Sequence, residues 1–327
     1  MKTKAACLLL LICCCLPLNL AAQPAAAFKI ERLISFLTLG TGAMTGTYFP
    51  LGNAFANAWT THSDNLSVMS HSTRGSIDNI RLLQQGELNL AIAQSDIVIA
   101  ALGGRGSFTG RTFSDLRVLM ALYPEVVQIV VAADSDIVNL AQLRGRRVIV
   151  GPPGSGNALT AVELLAACGI GPADFTPAYI SYDDMIQAME RRENDAAIVI
   201  AGIPTMTISE LQKRLPLRII SFSSAEIASL TQALPYLSGL SLPEATYKTG
   251  SGNLETLALM AMLVCDAHLS EDLAYRLCRD MYSHLDYLKK IHERARDITP
   301  ENFMKGVPPG SLHPGAARFY GELRQKP

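Results

Sequence analysis

Short apolar runs recur along this chain, separated by breaks rich in glycine, proline and hydroxyl residues. Some runs have the continuous or alternating pattern of strands, others the three-to-four spacing of an amphipathic helix. Residues 33–39 predict a strand, and 50–59 a helix with Leu51, Phe55 and Trp59 on one face. A short strand at 66–69 follows, then a helical stripe (Ile77, Ile80, Leu83) that stops at Gly86, then a strand at 90–93. Segments 116–122 and 126–132 read as two strands separated by Tyr-Pro-Glu. The pattern then restarts. Strands are expected at 147–150, 196–201 and 217–222, and helices at 158–167 (closed by Gly169), 184–192 and 207–214, with helices dominating from 254 to the end. The lone Trp59 is expected in the core.

Strands alternating with helices across short turns imply an α/β fold with mainly parallel sheets. Two successive βα series suggest two lobes. Ligands of open α/β sheets bind at the carboxyl ends of strands, so two facing sheet edges would enclose a cleft. The chain is expected to cross between lobes near 122–130 and 217–222. That places lobe I at 28–123 and 222–327, and lobe II at 124–221.

The breaks that follow strands hold the candidate chemistry. The first runs Gly40-Thr-Gly-Ala-Met-Thr-Gly46 and opens a helix. As a dinucleotide fingerprint it is poor, because the next strand ends Met69-Ser-His-Ser72 with no acid for a ribose. Read as an anion cradle, it offers the exposed amides around Gly42 and Gly46 and the hydroxyls of Thr41, Thr45, Thr47 and Tyr48. Read plainly, it is only a tight connecting turn.

The second break, 151–157, lacks the Lys-Ser/Thr ending of a phosphate loop and the nucleophile elbow of hydrolases. Ser155 or Asn157 could cap the next helix while the amides of Gly154, Ser155, Gly156 and Asn157 hold a carboxylate; capping alone is equally consistent. Ser72, Arg74, Gly75, Ser76 and Asn79 follow another strand. Ser76 with Asn79 has the look of a capped start, and Arg74 is either a partner for an acidic ligand or a solvated surface cation. Gln94 and Asp96 point to the same edge, Asp96 either binding a ligand amine or capping the next helix. Gly202-Ile-Pro204 is the matching element of the far lobe, or simply a helix start with Pro near its first position.

The first residues carry Lys2 and Lys4, an apolar run to Leu16, and small residues from Ala21. This is the layout of a cleavable export signal over 1–27, cut after Ala22 or Ala27, and too short to span a membrane. A periplasmic location follows as an expectation. Beyond it, Cys168, Cys265 and Cys278 remain of seven cysteines, enough for at most one disulfide. A formal net charge of −1 gives no basic field for nucleic acid. The six histidines have no zinc spacing. Neither a metal nor a cofactor is expected, and no catalytic set emerges, so the chain is read as a non-enzyme. A hydrolase built on Ser155 or Ser72, or a sensor feeding a signalling partner, are the alternatives.

Taken in order, these segments resemble the TAXI family, the extracytoplasmic solute-binding receptors of some tripartite ATP-independent periplasmic (TRAP) transporters. The resemblance rests on 40–50, 72–79, Gly86 to Ala91 with Gln94-Ser-Asp96, Leu122-Tyr-Pro-Glu125, Leu143-Arg-Gly145 with 150–157, Asp195-Ala-Ala197 with Gly202-Ile-Pro204, and Leu312-His-Pro-Gly-Ala-Ala317. It implies a two-lobed periplasmic-binding-protein-like fold, type II-like, closing on a small acidic solute such as glutamate, glutamine or a related dicarboxylate. It also implies a TRAP membrane subunit as partner; a monomer is expected of a receptor that must present one closed surface. Carried onto this chain, Gly42 to Tyr48, Ser72 to Ser76, Gln94 and Gly154 to Asn157 would line the cleft. Two positions depart from the family pattern: Ala43 or Met44 replaces a usual glycine, and Arg74 stands where a small residue is common. His313 with Pro314 is expected to start a helix and to be structural.

Overall fold

Two strands much longer than their neighbours organise the molecule, which is described here by a computed structural model covering residues 34–249 and 252–325. The expected export signal lies outside the described residues. Strand β4 spans Leu116–Ala132 and strand β10 spans Leu254–Asp266, and they pair antiparallel along most of β10. Seventeen residues at about 3.3 Å each carry β4 some 55 Å, far enough to serve two separate cores.

Around the first part of β4 lie β1 (Ser35–Gly40), β2 (Leu66–His71) and β3 (Leu90–Gln94), in the order β2-β1-β3-β10-β4. Helices α1 (Tyr48–His62), α8 (Glu271–Ser283), α9 (Leu285–Ile291) and α10 (Pro314–Gln325) cover one face of these strands. Helices α2 (Ser76–Gln84) and α3 (Ser95–Gly103) cover the other. Around the second part lie β7 (Ala196–Ala201), β5 (Arg147–Ile149) and β6 (Thr176–Ala178), continuing the order β4-β7-β5-β6. Strand β8 (Leu217–Ile220) pairs with β4, and β9 (Ser238–Leu242) with β10. One core here takes α4 (Gly156–Ala167) and α7 (Ser224–Ala233), and the other α5 (Tyr182–Glu190) and α6 (Met206–Gln212). On β4 the change of core falls between Tyr123 and Val127, and on β10 between Leu259 and Met260.

Three expectations are corrected. Segment 116–132 is one strand, not two. Residues 254–266 are a strand, not helix: with both faces buried the run has no period-two alternation, and its Leu, Ala and Met favour helix locally. The sheet is mixed rather than mainly parallel, because β4 and β10 run antiparallel to each other and to the strands β3, β7, β8 and β9 beside them, while β1–β2, β1–β3, β5–β6 and β5–β7 are parallel. Residues 217–242 pack in the second pair of cores.

Trp59 lies in the core as expected, its Nε1 donating to Leu277 O at 3.1 Å. His313 is structural too. Its backbone N–H reaches Val118 O, its Nε2 sits 2.9 Å from Leu269 O, and its Nδ1 accepts from Gly315 N–H at the start of α10. Cys168, Cys265 and Cys278 are free thiols. No described helix is long and apolar enough to cross a membrane.

Candidate functional site

The turn after β1 owes its shape to a set of internal hydrogen bonds. Thr41 is fully buried and donates from Oγ1 to His71 O at 2.6 Å, while Ser72 Oγ donates to Gly42 O. Asn79 Nδ2 donates to both Thr41 O and Ile92 O at 2.7 Å, tying the ends of β1 and β3 together from inside α2. Asn157 does the same work beyond β4. Its Nδ2 donates to Val150 O and Ile198 O, and its Oδ1 accepts from Ile200 N–H and from Tyr182 Oη–H at 2.9 Å. In each half a buried asparagine near the start of a helix satisfies backbone groups left over where strands end.

These staples hold the N-termini of α2 and α4 against each other. The Asp78 N–H of α2 donates to Gly154 O at 3.2 Å. A Cβ on Gly75 would sit 3.7 Å from Ser155 Cβ, and a Cβ on Gly156 would overlap Gln94 Oε1. Gly75 caps α2 with φ +110°, a conformation that side chains resist. The expected cap at Ser76 is therefore corrected: Ser76 is the first helical residue, and its Oγ accepts from Gln94 N–H and lies 3.3 Å from Tyr48 Oη. Ser155 does cap α4, accepting from Ala158 N–H at 3.1 Å and donating to Pro152 O.

Between these termini lies a cavity with about 510 Å³ of empty space, its mouth included. Of the expected site residues, Gly42, Gly46, Thr47, Tyr48, Arg74, Gly75, Ser76, Gln94, Ser155, Gly156 and Asn157 line it. Thr41, Thr45, Ser72, Asp96, Gly154 and Gly202 do not. Thr41 and Ser72 are spent on the turn, as described. Thr45 O accepts from Thr207 Oγ1. Asp96 is turned away, accepting from Ile97 N–H and from Thr160 Oγ1 on α4 at 2.5 Å; it is not the cap of α3, which is Gln94. Gly154 faces Arg74, its Cβ position 3.9 Å from Arg74 Nε. Gly202 packs against Arg294 and Thr47, and the helix start it was expected to make falls later, with Thr205 as the cap of α6.

The cavity also takes Ala43, within the stretch from Gly42 to Tyr48 that the resemblance implied, and Glu125, Pro152, Tyr182, Ile200 and Ala201, which were not expected as site residues. For Glu125 a signal existed: it is the one acid in the apolar 17-residue run of β4. Tyr182 carries no comparable mark.

Polar groups on the cavity floor divide into spent and unspent. Tyr48 Oη–H donates to Glu125 Oε2 at 2.9 Å, and Tyr182 Oη–H is taken by Asn157. Gln94, only 2 % exposed, has no hydrogen-bond partner on either amide atom. Glu125 is 3 % exposed, and among the described residues no cation pairs with it. Burial pushes its carboxyl well above the usual range; Asp96 adds to the rise, and the Tyr48 hydrogen bond opposes it. Burial likewise raises Tyr48 and Tyr182. At the rim, Arg74 pairs with Asp78 at 2.9 Å with its side chain 64 % exposed. Among the described residues no three His, Cys, Asp or Glu side chains gather as a metal-ligand set.

A mixed sheet crossed by two long strands, with helices on both faces, is the solute-binding-protein-like α/β fold, and solved structures share it. A Listeria monocytogenes protein assigned to L-cystine ABC transport matches with TM-score 0.50 at 14 % identity, over 84 % of this chain and 100 % of that one. The alkanesulfonate-binding protein SsuA of Xanthomonas axonopodis pv. citri, bound to MOPS, matches with TM-score 0.49 at 14 % identity, over 89 % and 84 %. The periplasmic aliphatic sulphonate binding protein SsuA of Escherichia coli matches with TM-score 0.48 at 13 % identity, over 88 % and 90 %. Within that fold the chain belongs to the NMT1-like family, whose model matches residues 39–323.

Proposed function

We propose that this protein is an exported solute-binding receptor of the TAXI type, holding a small acidic solute in the cavity between the α2 and α4 N-termini. Glutamate, glutamine or a related dicarboxylate is the ligand class. The observation that carries the reading is Gln94: a buried amide with no partner on either atom faces a cavity bounded by two helix starts. Leaving such a group unpaired costs about 1–3 kcal/mol, which a ligand bonded to it recovers. First-turn amides of α2 and α4 favour an anion, and Arg74 stands at the mouth to add a cation.

On this reading residues 34–124 with 260–325 form one lobe and 125–259 the other, and closure around the solute presents the protein to a TRAP membrane subunit. Export by residues 1–27 and a monomeric state belong to the same proposal. A non-enzymatic role is supported by the serines: the hydroxyls of Ser72 and Ser155 are bonded to backbone groups, with no histidine side chain as partner.

Denaturing the purified protein and identifying the released solute by mass spectrometry tests this directly. The stripped protein is then titrated calorimetrically with glutamate, glutamine and 2-oxoglutarate. One-site binding without turnover is the expected result, weakened by Arg74→Ala and Gln94→Ala. Absence of any bound small acid would refute the ligand class, and conversion of a titrant would refute the receptor.

A further inference from the structure

The cavity floor holds a buried acid, Glu125, beside which no cation stands among the described residues. Of the hydroxyls that line the cavity, Tyr48 donates to Glu125, Tyr182 to Asn157 and Ser155 to Pro152 O. What remains is the Glu125 carboxyl, with one oxygen engaged by Tyr48, and the unpartnered Gln94 amide. Among the described residues Arg74 is the guanidinium that lines the cavity, and it lies at the rim, paired with Asp78. An incoming anion therefore finds its donors at the helix N-termini, and would meet an acid on the floor. A ligand that fills the site needs a second end rich in donors.

The geometry points to an α-amino acid as the solute, with its ammonium group on Glu125 and Gln94 Oε1 and its carboxylate toward the starts of α2 and α4. An ammonium brings three donors and no acceptor, which suits this floor, whereas the keto or methylene group of an otherwise identical diacid brings none. Burial raises the Glu125 carboxyl above its usual range, and a cation placed beside it opposes that rise. The inference rests on the receptor reading above and narrows it: among small acids, those that carry an amine are preferred.

The test is calorimetric titration of the purified protein with L-glutamate, L-glutamine, 2-oxoglutarate and glutarate at one pH and salt concentration. A buried charge pair left without its partner weakens binding by about 30-fold or more. At least one of the two amino acids is expected to bind about 30-fold more tightly than 2-oxoglutarate and glutarate. Glu125→Gln should reduce that affinity at least about tenfold and bring the amino acid and the keto acid within about threefold of each other. The wild-type comparison stands even if that variant fails to fold. Equal binding of L-glutamate and 2-oxoglutarate to the wild type would overturn the inference and leave a receptor for small acids in place. Binding of none of the four would overturn both the inference and the ligand class beneath it.

Discussion

Gly156→Ala separates what this site needs for folding from what it needs for binding. Gly156 is the first residue of α4, with an ordinary helical backbone, so alanine is locally favoured by up to about 1 kcal/mol. The added methyl would overlap the Gln94 amide and come within 2.8 Å of Ser76 Oγ. The overlapped atom ends a flexible side chain, so Gln94 can rotate aside at about 0.5–1.5 kcal/mol for a poorer rotamer. The two effects nearly cancel, leaving stability within about 1 kcal/mol of wild type, a melting shift of roughly 2–4 °C at most. Gln94 lines the cavity, however, so a rotation toward that open space carries its amide among the ligand contacts. A displaced amide both fills ligand space and loses the bond it is placed to make, for about 1–3 kcal/mol and hence a loss of affinity of about fivefold or more. Thermal melting without ligand, paired with calorimetry of the ligand recovered from the wild type, gives the two readouts. The double variant Gln94→Ala/Gly156→Ala should bind within about threefold of Gln94→Ala alone, because the overlap with the amide is gone and only the closer approach to Ser76 Oγ remains. A melting drop beyond 10 °C, or an affinity within twofold of wild type, would refute the reasoning.

Asp96, raised to about 7 chiefly by burial, is more easily protonated folded than unfolded. Its contribution to stability is therefore fully present below about pH 4 and lost as pH rises through about 7, with a ceiling of about 4 kcal/mol. Urea unfolding of Asp96→Asn at pH 4.5 and pH 8 should show a smaller loss of stability over that interval than wild type, and an unchanged pH slope would contradict the assignment. Trp59→Ala removes a fully buried ring and its bond to Leu277 O, and should cost about 3–5 kcal/mol in denaturant unfolding; a loss below 1 kcal/mol would show that the core is not closed there. Asn157→Ala leaves Val150 O, Ile198 O and Ile200 N–H without their partner, so a loss of at least about 2 kcal/mol is expected, against a near-neutral result if water replaces the amide.

Much of the fold could be read from the chain because its outer elements are locally self-consistent. Helix α1 has its stripe of Leu51, Phe55 and Trp59, α4 has its Ser155 cap, and β7 is a short apolar run between turns. The reading failed at β10, where burial on both faces erases the alternation that identifies a strand. Most of the cavity lining was legible for a different reason. Glycine and hydroxyl residues after strands mark places where backbone amides approach something closely, as Gly75 and Gly156 do. What such a signal does not reveal is which hydroxyls stay free. Thr41 and Ser72 have the same composition as ligand contacts, yet their hydrogen bonds close the turn. That difference arises only when β2 is laid beside β1 and is invisible in one dimension.

Glu125 is instructive because the feature that hid it also explains its position. Pro124 precedes it, and Tyr-Pro-Glu reads naturally as a break between strands. Proline lacks the donor a central strand needs, so it is tolerated where a ladder is already irregular. In this fold Pro124 faces Met260, and the β4–β10 register slips between Met260 and Met262. This is also where β4 leaves one pair of cores and enters the other. At such a junction neither sheet face is fully committed to apolar packing. Polar side chains gather there: Gln94 and Ser95 from the end of β3, Ser95 Oγ accepting from Met260 N–H, with Glu125 held by Tyr48. A carboxyl one turn of the pleat away, inside either core, would face the full penalty of desolvation with nothing to bind. The irregularity that lets the chain keep its proline thus also creates the one stretch of β4 where an acid can be buried and still face a cavity.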